Sequence, residues 1–496
     1  MIKKETLAYN EGMKNIRRNL NVATFFLLTL LIVGLTFFFL EQSIITESTP
    51  GYYFNPISIP NQIMLAGVII SLISIFGNYI ISKIRLSVNG VLTLTFFIAI
   101  LLTTIVNIVT IPETRVLMVK FLDGTLHEIV VTLPMEVRMT GVLTLVVNLS
   151  FIFFVALVLP NHPHFLKIIM FFIVTIILIA TVAMGYSLIV EWAKYGAILK
   201  NGYTNSTNVP ASFFNNRNPY ASFLLSSQVM IVFLYYLRIT KKRRYIFFFA
   251  QIFFMTAILF TFSKTNIILS FLLFIFTYLS HLVLVLRKKK WWRFAFELLL
   301  ALQLFGALIA FRFVPALGAT EIAKFLTRLI PDNIIKMGSH SIDSRMDLWR
   351  YAWTLIVASP VTLLMGDGPH ISRYFYHIRM DYEMTGIPTN GFGDYHNGFV
   401  EVLHTFGLIG LGLYLLIFGF IIYLTIRRSK TNRALAFFVL VSLLLFVMRS
   451  QTESLSMLLF KSEGIMASFT FVLPFIYLMR LSHKKGFGKR IDFKKS

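Results

Sequence analysis

Residues Tyr245 to Leu286 read YIFFFAQIFFMTAILFTFSKTNIILSFLLFIFTYLSHLVLVL, apolar almost throughout. A helix rises about 1.5 Å per residue and the hydrocarbon core of a bilayer is about 30 Å thick, so one crossing takes about 20 residues. This run is long enough for two. Its flanks, Arg243-Arg244 and Arg287-Lys288, are both basic, and basic flanks mark the cytoplasmic side of a span. The chain must therefore cross, turn and return. The turn has to fall at the only polar break, Ser263-Lys264-Thr265-Asn266. Lys264 is thereby expected at the outer surface, at the start of the returning helix, where free backbone N–H groups favour anions. A lysine that only reaches toward lipid headgroups is the alternative reading.

The rest of the chain repeats the pattern. With 57% hydrophobic residues among 496 and a mean hydropathy of +0.75, there is too little polar surface to cover a soluble core of this size. Twelve spans are expected, near 22–40, 61–82, 90–109, 139–160, 166–190, 218–237, 245–262, 266–286, 294–313, 398–426, 434–448 and 465–480. The first reads as a retained span rather than a cleaved signal, since it is long, lacks a small-residue cleavage pattern and is followed by more spans. A net charge of +24 could belong to a nucleic-acid binder, but its distribution excludes that class. With the N-terminus inside, the clusters Lys14/Arg17/Arg18, Arg238 to Arg244, Arg287 to Arg293, Arg427 to Arg433 and Arg480 to Lys495 all fall in the cytoplasm. That asymmetry predicts both termini inside, with the clusters beside anionic lipid. The absence of cysteine excludes disulfides, thiolate metal sites and a cysteine nucleophile.

Three regions follow: spans over 1–313, one large outer loop over 314–397, and the last spans with a basic tail over 398–496. Among the shorter loops, Phe121-Leu122-Asp123-Gly124-Thr125 before alternating Ile129-Val130-Val131-Thr132 predicts a small hairpin, to which no role is assigned. In the large loop, Ser341-Ile342-Asp343-Ser344-Arg345 predicts the start of an amphipathic helix. Its apolar stripe is Trp349, Ala352, Trp353, Leu355 and Ile356, and it ends before Pro360. Too short to span, it is expected to lie on or dip into the outer leaflet. Asp347 can pair with Arg350 or Tyr351. Gly366-Asp367-Gly368-Pro369-His370 is a turn by composition, and a polar aromatic stretch with Arg373, His377, Arg379 and Asp381 follows.

The loop meets the next apolar run at Asp394-Tyr395-His396-Asn397, and after nine intervening residues come Gly407 and, three further on, Gly410. This run resembles the motif of the O-antigen ligase and polymerase family, the Wzy-type polysaccharide polymerases and lipid-A-core ligases: a histidine with an amide or hydroxyl neighbour, a nine-residue spacer, then a glycine and a further small residue. Arg345 with Trp349, Pro360, Gly366-Asp367-Gly368-Pro369, Asn218-Pro219 and Ser263-Lys264-Thr265 also resemble recurrent features of that family. Where the family more often carries Ser-Arg, this chain has Ser263-Lys264, which puts a strict arginine role there in doubt. The resemblance covers residues 200–450 well and the N-terminal third only in its pattern of spans. It implies an all-α integral membrane glycosyltransferase of GT-C architecture in the bacterial plasma membrane, without cofactor. Donor and acceptor would be polyprenyl-diphosphate-linked oligosaccharides at the outer face, with a chain-length regulator and a flippase as pathway partners. Polymerisation is the favoured activity. Ligase transfer to another acceptor and lipid-linked sugar transport are the alternatives.

That chemistry needs a base for the acceptor hydroxyl and cations for the diphosphate leaving group. His396 suits the first, since a neutral imidazole accepts a proton near neutral pH. Asp394 is placed to orient it if the two side chains face each other. Glu401 is either a second acid–base residue or a buried hydrogen-bond partner, and His404 is expected to pack. Arginine's planar fork matches phosphate oxygens, so Arg217, Arg345 and Arg350 are the diphosphate candidates, with Lys264 as a point charge; pairing with Asp343, Asp347 or Asp381 is the ordinary alternative. No carboxylate cluster suited to a divalent ion is visible, and metal-independent transfer is expected.

Overall fold

The computed structural model describes residues from 98 to 486 apart from 121–124, 143–164, 202–207, 238–243, 304–332, 386–394, 454–461 and scattered single positions. The expected spans at 22–40 and 61–82, nearly all of 139–160 and most of 90–109 and 294–313 lie outside the described residues, as does Asp394. In chain order the elements are β1 (Thr114–Lys120), β2 (Leu126–Thr132), α1 (Phe165–Val190), α2 (Trp192–Asn201), α3 (Arg217–Tyr236) and α4 (Arg244–Phe260). They continue with α5 (Lys264–Arg287), α6 (Asn333–Ile356), α7 (Pro360–Met365), α8 (Ile371–Thr385), α9 (Gly398–Arg428), α10 (Arg433–Ser450) and α11 (Ser462–Gly486). Among the described residues, α1, α3, α5, α9 and α10 are long and apolar enough to cross a membrane, and α4 and α11 contain shorter apolar stretches, Ile246–Phe260 and Ala467–Leu481. Large apolar side chains such as Leu178, Phe253 and Leu416 remain exposed on these helices, which suits a surface solvated by lipid.

Two compact units divide the chain: residues 1–172, 347–431 and 450–496 form the first, and 173–346 with 432–449 the second. In the second, α3, α4 and α5 pack on one another. The long apolar run indeed folds as two helices joined through Thr261-Phe262-Ser263, where Phe262 takes a positive φ of 52° and Lys264 opens the returning helix. Within the apolar layer the Ser270 hydroxyl donates to the Gln228 carbonyl oxygen over 2.6 Å, satisfying two polar groups that lipid could not.

In the first unit, β1 and β2 form an antiparallel hairpin with Val116 opposite Val130. Leu117, Val119 and Val131 point inward, joining a core with Ala352, Ile356, Phe375 and Tyr395. Helix α8 packs on β1 and α9, and α7 and α11 pack on α9. The amphipathic helix of the large loop is present, but α6 starts at Asn333 rather than at the Ser341 signal. Pro331 is the nearest upstream breaker, and no proline interrupts 333–356, so the Ser341 cap signal is overridden by a helix already under way. Its buried side is Ala352, Leu355 and Ile356, while Trp353 is exposed. Helix α7 begins at Pro360, with the Ser359 hydroxyl accepting from the Thr362 N–H over 3.0 Å.

Candidate functional site

His396 stands immediately before α9 in the left-handed region, φ 48°. Few non-glycine residues adopt it, histidine being among the more tolerant, and it costs on the order of 1–3 kcal/mol. The neighbours enforce it. On one side the Tyr395 carbonyl accepts the Trp349 indole N–H over 2.9 Å. On the other, Asn397 caps α9, its side-chain oxygen accepting from the N–H groups of Phe399 at 2.9 Å and Val400 at 3.2 Å. The amide of Asn397 donates to Gln451 over 3.5 Å. The His396 ring is one-third exposed, and its Nδ1 lies 3.9 Å from the Glu453 carboxylate. Glu453 is the carboxylate that faces this ring among the described residues. Sequence reasoning missed it, because only folding brings the segment after α10 to the mouth of α9.

Tyr395 is held through its hydroxyl, its ring and its carbonyl. Its ring stacks on Tyr376 with centroids 4.1 Å apart, and its hydroxyl is 2.6 Å from His404 Nδ1. His404 Nε2 in turn lies 3.1 Å from Asp367 Oδ2, which also accepts from Arg115 Nη1 over 2.6 Å. Burial would push the Asp367 carboxyl up, but His404 and Arg115 outweigh it and hold the group below the ordinary carboxylate range. Burial, with the Glu401 charge added, pushes the Tyr395 phenol well above its ordinary value. Tyrosine is therefore neutral and aspartate charged. His404 Nε2 faces Asp367 and Nδ1 faces the Tyr395 hydroxyl, so one imidazole links the two groups. His404, expected merely to pack, is a buried polar junction, and Arg115 comes from the hairpin that was given no role. Glu401 is buried and forms an ion pair with Arg373 of α8.

The glycines of the motif shape the helix that carries these groups. Gly407 has φ 66° and ψ −170°, breaking the helical path of α9. Carbonyls released by that break are taken up by the Gly366-Asp367-Gly368 turn: Asp367 N–H donates to the His404 carbonyl and Gly368 N–H to that of Thr405, each over 2.9 Å. A Cβ on Gly407 would run into the backbone of Leu364 and Met365, and one on Gly366 into that of Thr405 and Phe406.

In the second unit Arg217 opens α3, Lys264 opens α5 and Arg345 lies on α6. Beside the larger effect of its burial, Lys264 feels the charges of Arg217 and Arg345, and Arg217 and Lys264 each stand at a helix N-terminus. The loop leading to Arg217 is held by Glu191, whose carboxylate accepts from the Ala211 and Ser212 N–H groups and from Ser187 and Lys194. Burial would raise this carboxyl, but those four donors keep it below its ordinary value. Arg350, five residues beyond Arg345 on α6, is exposed and 3.1 Å from Asp347. Among the described residues no set of three or more histidines and carboxylates is arranged for a metal ion.

The fold is that of a mostly helical, multi-pass membrane protein with a histidine held at a helix mouth and a separate cluster of cations. Residues 249–415, about a third of the chain, match the family model described as O-antigen ligase, in line with the resemblance drawn from the sequence. The matched segment contains Lys264, Arg345, Asp367, His396 and His404. A comparison with curated proteins gives no match.

Proposed function

We propose that the protein is a polysaccharide polymerase of the plasma membrane. It transfers an oligosaccharide from polyprenyl diphosphate onto a sugar hydroxyl of a second lipid-linked repeat unit at the outer face. The observation that carries this reading is His396: a partly exposed imidazole in a constrained left-handed conformation, with Nδ1 turned to Glu453, inside a segment matching the O-antigen ligase family. A neutral imidazole protonated at Nδ1, on the side of the Glu453 carboxylate, offers the Nε2 lone pair that a general base requires. His396 Nε2 takes the proton of the acceptor hydroxyl as its oxygen bonds to the donor's anomeric carbon. The bond from that carbon to phosphate breaks, and polyprenyl diphosphate leaves with the electron pair, so a single displacement inverts the anomeric centre. Arg217, Lys264 and Arg345 neutralise the leaving diphosphate. Arg350, already engaged by Asp347, has the weaker claim on it. Because cations supply the charge, transfer needs no divalent metal, and activity is expected to survive chelation with EDTA.

The test is purified protein with a lipid-linked repeat unit. A ladder of products supports polymerisation, and a single transfer to an unlike acceptor supports ligation. Movement across the bilayer without new glycosidic bonds overturns both. His396→Ala is expected to accumulate normally and give no ladder; retained chain growth refutes the base assignment.

A further inference from the structure

We propose that Arg115, Asp367, His404 and Tyr395 form a buried positioning chain that holds His396 for transfer, an inference resting on the base role given to His396 above. The hairpin is thereby a working part of the site. Arg115 reaches from β1 to a carboxylate 252 residues away. Its second nitrogen donates to the Leu355 carbonyl at 3.5 Å and to Thr362 at 3.4 Å, and its guanidinium lies 5.0 Å from the Phe375 ring centroid. Thus Arg115 ties the end of α6, the start of α7 and the face of α8 to one acid. Asp367 fixes the imidazole of His404, which turns Nδ1 to the Tyr395 hydroxyl.

Tyr395 directly precedes His396, and its hydroxyl, ring and carbonyl are each held by a different element: His404 of α9, Tyr376 of α8 and Trp349 of α6. A residue fixed at three points leaves its successor little freedom to leave the left-handed region. Hydrogen-bonded chains of this kind act as a unit, so breaking any link should release the same constraint. None of the four is asked to touch substrate. Their effect is on where the His396 ring points, and misplacement by about 1 Å can cost on the order of 100-fold in rate.

The experiment measures kcat and KM for the lipid-linked donor in Tyr395→Phe, Arg115→Gln, Arg115→Lys and the double variant Tyr395→Phe/Arg115→Gln. Tyr395→Phe keeps the stacked ring and the carbonyl and loses only the hydroxyl. It is expected to lower kcat about 10- to 100-fold while KM stays within about twofold. Arg115→Gln should fall similarly, and Arg115→Lys, which keeps the charge beside Asp367, should recover part of the loss. The double variant should be no slower than the slower single. Parental kcat in Tyr395→Phe, losses confined to KM or protein amount, or losses that multiply in the double variant would each overturn the chain. His396→Ala in the same assay separates the two claims. If it still turns over, the base reading fails whatever Tyr395→Phe does; if it is dead while Tyr395→Phe is parental, only the positioning chain fails.

Discussion

Substituting Gly407 by alanine isolates the backbone geometry of the site from its acids and bases. Its φ of 66° and ψ of −170° lie in a region open essentially to glycine alone, where other residues pay about 1–3 kcal/mol. The added methyl would also collide with the backbone of Leu364 and Met365, which cannot swing aside as a side-chain tip would. Overpacking of that kind adds about 1–3 kcal/mol, giving roughly 2–6 kcal/mol in total. At about 2–4 °C per kcal/mol for a body of this order of size, the apparent Tm should fall by roughly 5–20 °C. Gly412 is the matched control: it lies on the same helix, and a Cβ there would meet nothing within 4 Å. Gly412→Ala is expected to be neutral or to gain about 0.5–1 kcal/mol. Thermal unfolding of the detergent-purified variants, followed by tryptophan fluorescence, measures both. If the two alanine variants melt together, the break in α9 does not constrain the first unit as described.

Asn397→Ala removes the cap of α9 and should cost about 0.5–2 kcal/mol in the same melt, whereas Asn397→Ser should restore most of it; a serine variant no better than alanine would refute the capping role. Asp367 and Glu191 both have folded carboxyls held below their ordinary values of 3.8 and 4.5. In that window the unfolded chain binds more protons, so their contribution is complete above those values and is lost as pH falls through and below them. Stability should therefore decline below about pH 4.5, and Asp367→Asn should flatten the decline. A melt unchanged down to pH 3 would contradict this. Loss of a charge-assisted contact is worth about 1.5–3 kcal/mol, so Arg345→Gln should raise KM for the lipid-linked donor about 10- to 100-fold, while Lys264→Arg should stay within about twofold. A donor KM unchanged in Arg345→Gln would remove the diphosphate from this cluster.

Local features of the sequence carried most of the helical architecture. Described helices stand where spans were expected at 166–190, 218–237, 245–262, 266–286, 398–426, 434–448 and 465–480. Hydropathy and charge act over one element at a time, so a single window contains the signal. The division of 245–286 into two helices followed from flanking charge and the polar break at Ser263, and the hairpin from its turn residues. The start of α6 did not follow, because the cap residues at Ser341 are also acceptable inside a helix once it is running. What stayed hidden were contacts between distant elements. Asp394, the neighbour of His396 in sequence, lies outside the described residues, whereas Glu453, 57 residues further along the chain, comes within 3.9 Å of the ring. Asp367 read only as a turn residue, since nothing in Gly366-Asp367-Gly368 reveals that Arg115 and His404 will converge on it.

The spacing of the motif becomes intelligible once its parts are seen as one device. His396 needs a left-handed backbone, and Asn397 starts the helix that fixes its far side. From there, two turns bring His404 under Tyr395, so that the residue before His396 is anchored to the helix after it. The helix must then break, because the turn holding Asp367 can reach His404 only if the carbonyls of His404 and Thr405 are free to accept its N–H groups. Gly407 supplies that break three residues beyond His404, where the interrupted pattern releases those carbonyls. Gly410 then leaves room for the Phe406 side chain, which a Cβ at that position would strike. Lengthening the interval between Asn397 and Gly407 by one residue would turn His404 about 100° away from Tyr395 while leaving hydropathy untouched. An alanine inserted after Val402 should thus leave a membrane-inserted protein that makes no glycan, whereas one inserted after Leu416, beyond the break, should retain turnover. Equal activity in the two insertions would sever the spacing from the site.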